Sequence, residues 1–172
     1  MNKGIFVAQD CHVCPVIPPK SANAAVAGTR FNMADWSHAS VLIGLGAAGG
    51  PIGAITVNVY AAETGGAGVA IAYRLFKQEA AAAPFDVLSQ NTVTNDGNFP
   101  QTASGYTPAA DVASAFYLVE IDSADLLTAA NGSYVEVDIA AGSLGTTPQL
   151  LTAYAVLSGG RFTGDGSATA QV

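Results

Sequence analysis

The chain has 172 residues, half of them hydrophobic, with only 11% charged and a formal net charge of −7. That length can bury a core of its own. The acid is uneven: residues 1–80 hold five basic and four acidic side chains, whereas 81–172 hold Arg161 alone against nine acids. A chain so poor in Lys and Arg is a weak partner for nucleic acid and for an anionic membrane surface. No stretch reaches the roughly 18–20 unbroken apolar residues of a membrane helix. The longest, Val41 to Ile52, is interrupted by Gly44, Gly46, Gly49 and Gly50.

In chain order, residues 1–28 read as an extended N-terminal arm, which either crosses to a neighbour or packs as a Pro-rich edge segment on its own domain. Gly4 to Ala8 can pair as one strand, and Cys14-Pro15-Val16-Ile17-Pro18-Pro19 is stiffened by proline, which fixes φ and pushes its predecessor out of the α region. The apolar run Ile5 to Ala8 ends at Gln9-Asp10, too early for a secretory leader, so synthesis in the cytoplasm is expected. Cys11 and Cys14 form a C-x-x-C around His12, and His38 is the other histidine. A zinc or redox reading needs these four residues as its whole inventory. Pro15 follows directly and no βαβ pattern surrounds the motif, so two reduced, packed thiols are the preferred reading.

A body of strands is expected over 29–162. Thr29 to Met33 alternates, and Trp36 to Leu45 carries Val41-Leu42-Ile43 at its centre. In Ala54 to Tyr60, Ile55, Val57 and Val59 point one way and Thr56, Asn58 and Tyr60 the other. Val69 to Gln78 follows the Gly65-Gly66 turn; Phe85 to Leu88 and Thr92 to Thr94 precede the turn signal Asn95-Asp96-Gly97. Ala115 to Asp122 places Phe116, Leu118 and Glu120 opposite Tyr117, Val119 and Ile121, and Ser123 to Leu127 reads as a helical turn capped by Asp122 or Ser123. Ser133 to Ile139 and Leu150 to Leu157 are the last strands, and 163–172 a loose tail. Short strands at regular spacing with turn clusters between them predict an all-β fold, an antiparallel β-sandwich of jelly-roll-like type.

Chemistry is harder to find. Asp122, Asp125, Glu136 and Asp138 invite comparison with paired glycosidase carboxylates. Yet Glu136 and Asp138 lie two apart on a strand, as on a solvated face, while Asp122 and Asp125 stand where a helix start favours acid. Gly44-Leu45-Gly46-Ala47-Ala48-Gly49 matches G-x-G-x-x-G, but Gly50-Pro51 follows instead of a helix, so a loop is expected rather than a phosphate cradle. No catalytic residue, metal ligand or cofactor site is assigned.

The opening Met1 to Ala8, the stretches Phe31-Asn32-Met33 and Ser37 to Ile43, the block Val119 to Leu126 and the segment Ala155 to Phe162 together resemble small virion proteins of tailed bacteriophages and prophages. The likeness spans most of the chain, and its motifs are structural. It implies a non-enzymatic decoration or cement protein on the capsid surface, with the major capsid protein as partner. Low charge implies that apolar surface is hidden against other subunits. A homotrimer suits a shell's three-fold positions, with Phe6, Val16 and Ile17 as the anchors of the arm. The alternative is a carbohydrate-binding or host-attachment module using Trp36, Tyr60, Tyr73, Phe99 and Tyr106.

Overall fold

The computed structural model describes residues 11–46, 52–78, 89–90, 100–101, 105–108, 115–129, 132–141 and 148–160. They build two antiparallel sheets. The larger contains β1 (His12–Ala22), β4 (Trp36–Leu45), β7 (Tyr73–Gln78), β8 (Ser89–Gln90), β9 (Pro100–Gln101), β10 (Phe116–Asp122) and β12 (Gln149–Gly160). Its order is β1-β12-β4-β10-β7-β8, with β9 also on β7. The smaller contains β2 (Val26–Ala27), β3 (Phe31–Asn32), β5 (Ile55–Tyr60), β6 (Val69–Ile71) and β11 (Tyr134–Ile139), in the order β2-β11-β5-β6 with β3 also on β11. Among the described residues there is one helix, α1 (Ser123–Ala129).

Alternation explains the strands. Ile55, Val57 and Val59 face Val135, Val137 and Ile139 across the β5–β11 ladder, all essentially closed to solvent. Ala39, Val41 and Ile43 on β4, Tyr117, Val119 and Ile121 on β10, and Ala153, Ala155 and Leu157 on β12 supply the facing layer. These side chains form one core between the two sheets, as in a β-sandwich. At α1, the Asp122 N–H donates to Asp125 Oδ2 at 3.3 Å, so the acid in the first turn reaches back over the cap.

Two expectations need correction. Val69 to Gln78 is not one strand: it splits at Ala72, with Ile71 paired to Val57 in the smaller sheet and Tyr73 entering the larger. Of the two readings of the arm, residues 12–22 follow the second, a Pro-rich edge segment packed on its own domain, and do not cross to a neighbour. β1 is the edge strand of the larger sheet, paired with β12 from His12↔Leu157 to Ala22↔Gln149. Its register shifts twice, between Pro15 and Ile17 and between Ile17 and Lys20. Bulges there absorb prolines that cannot donate to a ladder, and Thr152 Oγ1 donates to the Ile17 carbonyl at 3.1 Å across the break. The first shift turns both Val16 and Ile17 inward, each 1% exposed. They anchor this chain's own core and are not free for docking. The chain then crosses between sheets through Thr29 N–H to Val16 O (2.8 Å) and Gly28 N–H to Val137 O (3.1 Å). At Gly28 a Cβ would stand 2.6 Å from the Val137 oxygen, which explains glycine at that crossing.

Candidate functional site

The outward side of the larger sheet is unlike that of the smaller. Partners in an antiparallel ladder share a face, so the registers define rows running across the strands. One row is Pro15–Tyr154–Leu42–Leu118–Phe76, spanning β1, β12, β4, β10 and β7. It contains no charged residue. On one side lies Thr152–Gly44–Phe116–Gln78 and on the other Val13–Val156–Ser40–Glu120–Arg74. Val13, Leu150 and Tyr154 are 47%, 53% and 37% exposed, large fractions for such side chains. The apolar band therefore crosses five strands on the face turned away from the core.

Apart from Lys20 beside Leu150 and Thr152, the charges on the strands of this face gather at one end and are tied to each other. His38 sits opposite Asp122 across the β4–β10 ladder, and Ser40 opposite Glu120. His38 Nδ1 lies 2.7 Å from Asp122 Oδ1, and its Nε2 contacts Glu120 Oε2. The Ser40 hydroxyl donates to Glu120 Oε2 at 2.8 Å, and Arg74 pairs with Asp122. Ser40, His38 and Asp122 are the residue types of a hydrolytic triad, but the roles do not fit. Glu120 occupies the imidazole nitrogen that a nucleophile's proton would need and accepts the Ser40 hydroxyl's hydrogen bond, leaving Ser40 Oγ 3.4 Å from His38 Nε2. The cluster is a closed charge knot.

The outer face of the smaller sheet is polar. Arg30 lies 3.3 Å over the Tyr60 ring, pairs with Glu136 Oε2 at 2.9 Å, and donates to the carbonyls of Ala62, Glu63 and Gly65. The Tyr60 hydroxyl donates to Glu136 Oε1 at 3.2 Å, and Asn58 donates to Asp138 Oδ2 at 2.7 Å. Glu136 and Asp138 thus face outward, as the alternation requires, yet they are not a simple solvated pair. The Glu136 side chain is only 13% exposed, and Asp138 Oδ1 is closed to water with no hydrogen-bond partner among the described residues. Burial first, then the Glu136 charge, raise the Asp138 carboxyl from 3.8 to about 6 against the opposing Asn58 hydrogen bond.

The other candidate residues are scattered. Tyr73 is buried, its hydroxyl donating to the Ile55 carbonyl, and burial pushes that phenol upward. Tyr106 packs on the core with Lys77 Nζ at 2.7 Å from its hydroxyl, and Tyr60 lies beneath Arg30. Trp36 packs partly into the core with its ring 6.0 Å from that of His12. These aromatics form no common platform, and Phe99 and Phe6 lie outside the described residues. Cys14 is buried on β1, its thiol pushed up to about 11 by desolvation, and Cys11 is partly exposed. Among the described residues no group of His, Cys, Asp and Glu is arranged to hold a metal ion.

The outer-face band was half visible in the sequence, where β10 alternates apolar residues on both sides. Its continuation through Phe76, Leu42 and Tyr154 depends on ladder register, which the sequence does not display. Comparison with protein-family models, curated proteins and solved structures finds no match for this chain.

Proposed function

We propose that this chain is a non-enzymatic structural protein of a phage virion, a decoration or cement subunit that docks on the assembled capsid. The observation that carries this reading is the contrast between the two outer faces: an apolar band five strands wide on one, and a polar, acidic surface on the other. In this reading the larger sheet faces the shell, built of major capsid protein, and the smaller faces solvent. Burial of apolar area supplies affinity, and many equivalent sites on one shell multiply modest contacts through effective concentration.

The test is co-sedimentation with shells assembled from the major capsid protein of the same virion. The unaltered protein pellets with the shells, whereas Leu118→Lys, placing a charge mid-band, stays in the supernatant while keeping its circular dichroism and unfolding midpoint. Failure of the unaltered protein to pellet sinks the proposal. Equal pelleting by Leu118→Lys rejects the face.

A further inference from the structure

His38 is held by both of its ring nitrogens. Nδ1 lies 2.7 Å from Asp122 Oδ1, and Nε2 contacts Glu120 Oε2. An ionised carboxylate only accepts, and a neutral imidazole carries one N–H and one lone pair. Both contacts are hydrogen bonds only while the ring carries two protons. Once one proton leaves, a lone pair faces a carboxylate oxygen. Ser40 cannot mend this with its single proton, which it donates to Glu120 Oε2. Turning that proton toward Nε2, 3.4 Å away, would take a donor from Glu120.

The strands around the knot offer no substitute. On the outer face β12 places Ser158 opposite His38 and Val156 opposite Ser40, and β1 brings Val13 beside Val156. None of these three titrates. β7 places Arg74 opposite Glu120, but Arg74 pairs with Asp122. At α1 the Asp125 carboxylate accepts from the Asp122 N–H, adding one more negative group nearby. With the imidazole protonated, His38 and Arg74 balance Glu120 and Asp122. With it neutral, one carboxylate of the four-residue knot is uncompensated, beside the apolar band. The Glu120 side chain is 15% exposed, so water makes up little of the loss.

We infer that His38 is a proton-operated clasp on this face: protonated, it closes the knot in charge balance; neutral, it opens one side and leaves an uncompensated carboxylate. The consequence for assembly rests on the docking reading above. A partner laid over the band would shut this end off from water, where an uncompensated charge is expensive. Docking therefore strengthens as pH falls through the imidazole's transition, the change of charge that histidine makes near neutral pH.

Two measurements test this, one of them without any partner. In the isolated protein, carbon-13 NMR from pH 5.5 to 8.5 follows the His38 ring together with Glu120 Cδ and Asp122 Cγ. At least one of these carboxyl carbons moves with the midpoint of the His38 ring, and that movement is absent in His38→Gln. With shells of the major capsid protein, apparent affinity falls about ten-fold as pH rises through the same midpoint, the low end of the cost of an unpaired polar group. His38→Gln, which cannot titrate, pellets at the weak alkaline level throughout. His12→Gln, altering the other histidine, keeps the profile of the unaltered chain. Titration of the shell itself would persist in His38→Gln, which separates the two sources. Carboxyl carbons indifferent to His38, or a pH profile that survives His38→Gln, overturn the inference. Absence of pelleting at every pH sinks the docking reading and its regulation, while the carboxyl carbons still decide the clasp.

Discussion

Replacing Asp138 with Asn isolates the strained carboxyl on the smaller sheet. The folded protein raises this group from 3.8 to about 6, chiefly by burial and then by Glu136. The sign follows from linkage: the fold favours the protonated acid, so its contribution is fully present below about pH 3.8 and is lost as pH rises through about 6. At pH 7.5 the ionised carboxylate therefore works against folding. Solvent reaching the rest of the side chain keeps the resulting penalty to about 1 kcal/mol. An Asn side chain keeps an oxygen for the Asn58 amide and gains a donor for the acidic surroundings of Oδ1. Asp138→Asn should thus gain about 1 kcal/mol at pH 7.5, a rise of roughly 2–4 °C in Tm for a domain of this size, and almost nothing at pH 3.5. Urea unfolding of both proteins at the two pH values is the assay. Asp35→Asn controls for simple relief of negative charge. A destabilised Asp138→Asn at pH 7.5, a gain equal at both pH values, or a gain matched by Asp35→Asn would refute the reasoning.

Three further outcomes follow from buried or constrained groups. Tyr73→Phe removes a hydroxyl that donates to Ile55 O and accepts from the Tyr106 N–H at 3.0 Å; it should cost about 1–2 kcal/mol in urea unfolding with an unchanged m value. Gly159 has φ of +65°, and a Cβ there would run into Ser37 Oγ, so Gly159→Ala should cost about 1–2 kcal/mol, read as a lowered Tm. In native protein at pH 8, iodoacetamide followed by peptide mass spectrometry should find Cys11 alkylated well before Cys14, whose buried thiol is pushed up to about 11; equal rates would contradict the placement of β1.

Much of the architecture was legible because period-two alternation is a direct record of which side of a strand meets the core. β5, β10 and β11 read correctly for that reason, and the acid pair around Asp122 and Asp125 marked the start of α1. β1 misled because prolines usually signal an unpaired segment. Here the second register shift leaves Pro18 and Pro19 outside the ladder while Pro15 stays opposite Tyr154, and the first shift puts adjacent Val16 and Ile17 on one side, erasing the alternation. The break at Ala72 was hidden because both flanking segments are strand-like, and the change of sheet is a tertiary event. The knot of His38, Ser40, Glu120 and Asp122 joins residues some 80 positions apart through the β4–β10 register alone.

The arrangement of charge bears on how each outer face could be covered. Moving an unpaired charge out of water is expensive, whereas a charge already satisfied by neighbours has surrendered much of its hydration. On the larger sheet every polar group of the knot is engaged: His38 with Asp122 and Glu120, Ser40 with Glu120, and Arg74 with Asp122. A partner lying across Leu42, Leu118 and Tyr154 would gain apolar burial without stripping a lone ion at the end of the band. The smaller sheet is the reverse case. Asp138 is already desolvated enough to hold its proton more tightly, and any partner laid over it would deepen that cost. Arg30 could not offset it, because its guanidinium is committed to Glu136, the Tyr60 ring and three loop carbonyls. In the proposed assembly, therefore, the electrostatics and the apolar band favour the same orientation, with the larger sheet inward and the Asp138 face left to water.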